Sequence, residues 1–253
     1  MKIRKLIASV STALALMAGG QAQADVVQLG FILDSSGSIG SGNWTTIVNG
    51  LKSAVNSFIP TNSSYEVSVV SFGATANINI DSFLVTDLAS RTSLADQIGL
   101  LPFLNGGSTS YSAAFTAMQA ALFGANERTT TSSFVNFATD GEPNNGGDGT
   151  TQRDALIAAG VDNLSVEGIG AGINTAFLQN SICYPQSCDA TSPYNFPTQG
   201  FYIGVADAAG YAAVIGNKVQ TVTNQVPEPN ALALAGLALL GLGLARRQQR
   251  KES

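Results

Sequence analysis

Short apolar runs alternate with amphipathic helical segments through the central part of this 253-residue sequence. VVQLGFILD at 26–34 has the length and β-branched composition of a buried strand, whereas residues 43–58 place apolar side chains three and four positions apart, as in a helix with one buried face. Strands joined by helices of this length need right-handed crossovers and form a mostly parallel sheet with helices on both faces. The order of the elements therefore predicts a doubly wound, Rossmann-like α/β fold.

The same patterns predict the remaining elements. ATANINI at 74–80 alternates apolar and polar residues, so it predicts a half-exposed edge strand, which we expect to run antiparallel. The other predicted strands are 65–72, 134–140, 163–170 and 200–207. The other predicted helices are 90–101, 111–123, 152–159, 174–182 and 208–219. Because ligands of doubly wound sheets bind at the carboxyl ends of the strands, polar loops at that edge are candidate sites.

The N-terminal segment has the features of a secretory signal peptide. Three basic residues within the first five precede the apolar stretch 6–18, and Ala22-Gln23-Ala24 has the small residues of a cleavage site. We therefore expect residues 1–24 to be removed when the protein is exported through the inner membrane, so that the mature chain begins at about Asp25.

The C-terminal segment, 223–253, carries three further features in a fixed order. VPEP at 226–229 is followed by the apolar segment 231–245 and then by the basic tail 246–251. This order resembles the PEP-CTERM sorting signal of Gram-negative bacteria, which implies transient membrane anchoring through 231–245, processing by an exosortase, and a cell-surface or extracellular location. A plain C-terminal membrane anchor is the alternative, although 15 residues are fewer than the roughly 20 that span a bilayer.

Charge and histidine content exclude several functions. Between Asp25 and Val226 there are five basic and fifteen acidic residues, a net charge of −10, so we expect no binding to nucleic acid or to anionic membrane surfaces. The chain contains no histidine, which excludes Ser-His catalysis and His-ligated zinc. The mature segment also lacks a G-x-S-x-G nucleophile motif, and we expect a protein that is not an enzyme.

The two cysteines, Cys183 and Cys188, are separated by four residues. In an exported protein such a pair is most simply a local disulfide, and a redox or metal role would require C-x-x-C spacing or more ligands. We therefore predict a Cys183–Cys188 disulfide.

Three loops rich in oxygen ligands lie next to predicted strands or helices. DSSGS after the first strand supplies Asp34, Ser36 and Ser38, ATDGE supplies Asp140, and NGGSTSY at 105–111 supplies hydroxyls before a helix. A single such loop is as readily a turn or a helix cap. Carboxylate and hydroxyl oxygens gathered at one sheet edge, however, suit a hard divalent cation.

The D-x-S-x-S pattern and the strand followed by T-D-G-E at 139–142 resemble the von Willebrand factor A (VWA) domain and its metal-ion-dependent adhesion site (MIDAS). The resemblance covers 26–219, and we place the domain at 25–222. It implies metal ligation by Asp34, Ser36, Ser38, Asp140 and a hydroxyl of the second loop.

The second loop departs from the Gly-Gly-Thr of the family, because Ser108 precedes Thr109. We prefer Thr109, since Ala114 and Phe115 match the small and apolar residues that the family has five and six positions later, and Ser108 is the alternative ligand. The hydroxyl and carboxylate donors suit Mg²⁺, and Mn²⁺ would fit the same donors. The resemblance implies a protein or extracellular matrix ligand whose carboxylate completes the metal shell. The alternative function is a structural component of the extracellular polymer or biofilm matrix in which metal contributes only stability.

Overall fold

A computed structural model describes residues 26–124, 130–185 and 188–225. The predicted signal peptide at 1–24 and the predicted sorting features from 226 onward lie outside the described residues. Within the described ranges no helix has the combined length and hydropathy of a membrane span.

A six-stranded sheet forms the centre of the fold, as the alternation of apolar runs predicts. Its strands are β1 (Val26–Asp34), β2 (Tyr65–Phe72), β3 (Ala76–Val85), β4 (Thr130–Thr139), β5 (Asn163–Ile169) and β6 (Tyr202–Val205). Their spatial order is β3-β2-β1-β4-β5-β6, and every neighbouring pair is parallel except β2 and β3. The predicted doubly wound sheet with one antiparallel edge strand is therefore confirmed.

Helices cover both faces of the sheet. They are α1 (Gly40–Phe58), α2 (Leu88–Gly99), α3 (Tyr111–Phe123), α4 (Thr150–Ala159), α5 (Thr175–Phe177), which continues as a π-helical turn (Leu178–Ile182), and α6 (Ala208–Gln225). Helices α1, α2 and α6 pack together on one face, and α3, α4 and the π turn lie on the other. Each face has its own buried apolar core.

Strand β1 lies at the centre of the sheet, and all nine of its residues are buried. Its Leu29 and Phe31 belong to one core cluster, and Ile32 belongs to the other, because successive side chains of a strand point to opposite faces. Gly30 is required by close packing, since a Cβ there would lie 2.6 Å from Sδ of Met118 in α3. The carboxyl end of β1 lies between β2 and β4, where the connections to the two faces diverge.

Several predicted boundaries need correction, and β4, which was predicted to begin at 134, begins at Thr130. Strand β3 was predicted to end at Ile80 and continues to Val85, because Ser82 (φ 50°) forms a bulge opposite Ser68 that interrupts the alternating pattern. Helix α6 was predicted to end at Val219 and continues to Gln225, with buried Val222 packed on the sheet. The helix predicted at 174–182 is one short α turn followed by a π turn, in which Cys183 N–H donates to the carbonyl of Leu178.

The predicted disulfide is present. Cys183 is fully buried beside the sheet and is bonded to Cys188, with the two Cα atoms 5.6 Å apart. It closes the segment that leads from the π turn toward β6.

Candidate metal centre

The first loop of the site begins where β1 ends. Asp34 is 2 % exposed, and its Oδ1 accepts a 2.8 Å hydrogen bond from the backbone N–H of Ser36. The Ser36 side chain is buried, whereas Ser38 is exposed, and their Oγ atoms lie 3.1 Å apart. The loop thus turns its carboxylate and both hydroxyls toward one place at the sheet edge.

The loop after β4 meets this first loop directly. Ser38 Oγ donates a 2.7 Å hydrogen bond to Oδ1 of Asp140, which is half-buried. Thr139, the last residue of β4, is fully buried and donates from its hydroxyl to Oδ2 of Asp34 at 2.7 Å. Because β1 and β4 are adjacent parallel strands, their carboxyl ends bring Asp34, Ser36, Ser38 and Asp140 together as predicted.

The second loop, which precedes α3, reaches the same place through a close backbone contact. A Cβ on Gly106 would lie 2.8 Å from Cα of Gly73 and 2.9 Å from N of Ala74, so only glycine fits. Ser110 then caps α3 by accepting the Ala113 N–H. This packing fixes the positions of Ser108 and Thr109, the two residues that the sequence offered as ligands.

Thr109 and Ser108 have different surroundings. Thr109 is 4 % exposed, and its hydroxyl lies 3.8 Å from the position of a Cβ on Gly141, directly beside Asp140. Its backbone N–H donates to Oδ1 of Asn144 at 2.8 Å, and its carbonyl accepts the Asn144 N–H at 3.0 Å. Ser108 is half-buried, and its Oγ accepts from Nδ2 of Asn145 at 3.5 Å. The loop therefore holds Thr109, and not Ser108, against the Asp140 turn.

The sequence did not indicate all of the residues that support these candidate ligands. Tyr111 is buried and its hydroxyl donates to the carbonyl of Gly141 at 2.6 Å, which fixes the turn that follows Asp140. Asn144 clamps Thr109, and Thr139 orients Asp34. Only Thr139 had a sequence signal, because it belongs to the T-D-G-E pattern. Glu142 in the same pattern is exposed.

Burial makes the two carboxylates of the site costly to ionise. It raises the pKa of Asp34 to about 6, although hydrogen bonds from Ser36 and Thr139 oppose the rise. Burial likewise raises the pKa of Asp140, against the hydrogen bond from Ser38. An adjacent cation favours the ionised form of a carboxylate, so a divalent ion would offset both penalties.

The donor set defines what this site can hold. It contains only oxygen atoms, from two carboxylates and from Ser and Thr hydroxyls, which are the ligands of hard cations. The part of the chain that the structure describes contains no group of three or more His, Cys, Asp or Glu side chains that could hold a metal ion. A cation here would therefore depend on the hydroxyls, and the residues present fit one.

Comparison with protein families gives two matches. The von Willebrand factor type A domain matches residues 28–200, and the PEP-CTERM protein-sorting motif matches residues 225–251. Comparison with curated proteins finds no match.

Solved structures with the same fold come from distant organisms. Proximal thread matrix protein 1 from the mussel byssus is 18 % identical with a TM-score of 0.63, and the alignment covers 78 % of this chain and 48 % of the mussel protein. Another structure of that mussel protein has a zinc-occupied MIDAS motif. The manganese-loaded TRAP protein of Plasmodium vivax is 26 % identical with a TM-score of 0.56, over 78 % of this chain and 74 % of that protein. This chain thus spans about half of the mussel protein and most of the Plasmodium one.

Proposed function

Because this chain belongs to the von Willebrand factor type A domain family, we propose that it is an exported binding module that captures an acidic group of a protein or matrix partner through a divalent cation. The observation that carries this proposal is the convergence of three separate loops on one cluster of oxygen atoms. The contact between Ser38 and Asp140, which come from different loops, is the clearest sign of that convergence.

Five residues would hold the cation. Each of them directs an oxygen atom to the same edge of the sheet. They are Asp34, Ser36, Ser38, Thr109 and Asp140. Three neutral hydroxyls donate less charge than carboxylates would, so a bound Mg²⁺ or Mn²⁺ supplies an electrophilic position for an incoming carboxylate. Thr139 and Tyr111 hold Asp34 and the Asp140 turn in place from behind.

The sorting motif supports a surface setting for this binding. The chain carries a PEP-CTERM motif at 225–251, which indicates an exported protein that is processed at its C-terminus. We propose that an exosortase of a Gram-negative bacterium processes this segment and that the domain then acts at the cell surface or in the extracellular matrix. Its partner is a protein or matrix component that presents a carboxylate.

Calorimetry of the purified exported protein tests the metal site. We expect one Mn²⁺ or Mg²⁺ per chain, with binding lost in Asp140→Asn and retained in Glu142→Gln, which neutralises an exposed carboxylate two residues away. At a cation concentration 100 times the Kd, the bound cation stabilises the fold by about 2.7 kcal/mol, which raises Tm by roughly 5–11 °C in a domain of this size. Absence of binding in the wild type contradicts the proposal.

A bead-displayed random hexapeptide library tests capture of an acidic group. Beads that bind the protein in Mn²⁺ and are released by EDTA should be enriched in Asp or Glu, and the enrichment should vanish with Asp140→Asn. Metal binding that raises Tm without any carboxylate enrichment would instead favour the structural matrix role.

A further inference from the structure

A cleft of about 240 Å³ lies directly beside Asp140, and no residue of the Thr109 loop lines it. Asn43 in the first turns of α1 and the β5–α5 turn form two of its walls, and Asp207 at the start of α6 forms another. Its volume is below the roughly 300 Å³ at which small-molecule pockets begin. The cleft therefore has room for a single long side chain.

Glycine backbone of the β5–α5 turn forms the wall of the cleft between Asp140 and Asp207. A Cβ on Gly172 would lie 3.1 Å from the carbonyl oxygen of Asp140, and Gly170 has φ 79°. Gly170 also donates its N–H to the carbonyl of Val205 at 2.7 Å, which ties this turn to the strand before Asp207. The β5–α5 turn therefore lies close against both neighbouring loops.

The edge that carries the cleft is strongly acidic. Five carboxylates lie at or after the carboxyl ends of β1, β4 and β6, namely Asp34, Asp140, Glu142, Asp148 and Asp207. A divalent cation compensates two of them, and a partner's carboxylate adds a further negative charge. The edge therefore keeps an excess of negative charge when the proposed complex forms.

The lysine and arginine side chains that the structure describes all have partners away from the cleft. Lys52 pairs with Asp96 at 2.8 Å, and Arg91 donates to the carbonyl of Ile59 at the end of α1. Arg153 contacts Asp154 at 2.9 Å, and Lys218 is buried against Glu167. Among the described residues, the protein thus offers no basic side chain to the cleft.

We infer that the cleft receives a lysine or arginine side chain of the same partner whose carboxylate binds the cation, so that the recognised motif pairs an acidic with a nearby basic residue. This inference rests on the proposed function. The partner's cation lies between Asp140 and Asp207, with the amide oxygen of Asn43 as a neutral acceptor.

Two helix N-termini at the cleft do not reverse this preference. The amide dipoles of α1 and α6 each amount to roughly half a positive charge. Asp207 itself accepts the N–H of Gly210 at 2.8 Å, so its carboxylate already satisfies one free donor of α6. The remaining partial charge is smaller than the excess of carboxylates on this edge.

The hexapeptide library in Mn²⁺ with EDTA release tests the inference, using wild type, Asp207→Asn and Asp148→Asn. The two variants are matched, because Asp207 and Asp148 are both exposed at the same sheet edge. The Oδ1 of each accepts a backbone N–H, from Gly210 and Thr150 respectively, and asparagine keeps that oxygen. Wild-type peptides should show Lys or Arg at a fixed spacing from the acidic residue. Asp207→Asn should lower that basic enrichment about two- to fivefold, as expected for a partly exposed ion pair, whereas Asp148→Asn should not.

An enriched peptide then permits a double-mutant cycle that combines Lys→norleucine in the peptide with Asp207→Asn in the protein. Non-additive effects with Asp207→Asn and additive effects with Asp148→Asn support the inference. Acidic enrichment without a basic residue, or a basic preference unchanged in Asp207→Asn, overturns it and leaves the proposed function standing. A second Mn²⁺ per chain that is lost in Asp207→Asn also overturns it, because the cleft would then hold a metal. Absence of acidic enrichment contradicts the proposed function itself.

Discussion

The hydroxyl of Ser38 donates a 2.7 Å hydrogen bond to Oδ1 of Asp140, although the two residues are 102 positions apart in the chain. Ser38 follows β1 and Asp140 follows β4, so the contact joins the carboxyl ends of two adjacent parallel strands. It also joins a neutral donor to a carboxylate in the cluster that we propose to hold a cation. A cation that binds both oxygens would replace this hydrogen bond, and the Ser38 hydroxyl would keep its proton and direct it away from Asp140.

Substituting Ser38 with alanine should weaken cation binding more than it weakens the fold. Ser38 is exposed and its hydrogen bond to Asp140 is open to solvent, so Ser38→Ala should lower the free energy of unfolding by no more than about 1 kcal/mol. Loss of one oxygen ligand should lower Mn²⁺ affinity on the order of tenfold, measured by calorimetry. Ser41→Ala, at a neighbouring exposed serine, is the control and should bind as wild type does. Unchanged affinity in Ser38→Ala would remove this hydroxyl from the proposed ligand set.

Thr139 should matter both for the fold and for the cation, because its hydroxyl is a donor to the buried carboxylate of Asp34. Thr139→Val keeps the shape of the side chain and leaves Oδ2 of Asp34 without this donor, which should cost about 1–3 kcal/mol of unfolding free energy in EDTA. Thr139→Ser keeps the hydroxyl and should retain most of the stability. Urea unfolding in EDTA measures both, and equal losses in the two variants would contradict the role of the hydroxyl.

The close approach of Gly106 to Gly73 predicts that the Thr109 loop tolerates no side chain at position 106. Gly106→Ala would place its Cβ 2.8 Å from a backbone Cα, so the loop must move, at a cost of about 1–3 kcal/mol. Movement of Thr109 should also weaken Mn²⁺ binding in calorimetry. Gly42→Ala in α1 is the control, because nothing lies within 4 Å of its Cβ. Wild-type affinity in Gly106→Ala would show that Thr109 is not needed for binding.

Much of the fold could be predicted because burial leaves a clear record in the sequence. Strand β1, strand β2 and helix α3 have the predicted bounds, since most residues of the strands are apolar and α3 has a regular apolar stripe. Apolar spacing in α6 extends to Val222 but does not reach the end of the helix at Gln225. Thr221 and Thr223 there donate their hydroxyls to helix carbonyls four residues earlier, so polar residues continue the helix.

The site was predictable only in part. Asp34, Ser36, Ser38 and Asp140 belong to local motifs, and the parallel sheet brings these motifs together. Tyr111 and Asn144 act through backbone groups of Gly141 and Thr109, and contacts of that kind leave no pattern of spacing in the sequence. Their roles emerge only when the loops are placed in space.

A buried ion pair attaches α6 to the sheet. Glu167 in β5 is fully buried and pairs with Lys218 of α6, whose Nζ also lies 4.7 Å from the ring centroid of Phe201. Burial raises the pKa of Glu167 and lowers the pKa of Lys218, which means that each charge depends on the other for compensation. Loss of either partner therefore leaves an uncompensated charge between the sheet and the helix.

Lys218→Met should be strongly destabilising, by about 3–5 kcal/mol, because Glu167 would remain buried without its partner. The double variant Glu167→Gln with Lys218→Met removes both charges and should recover much of this loss. Urea unfolding of the wild type and of the two variants measures the difference, and Lys52→Met is the control, since Lys52 pairs with Asp96 at the surface. If the double variant were as unstable as Lys218→Met alone, the cost would arise from packing around Phe201 and not from the unpaired carboxylate.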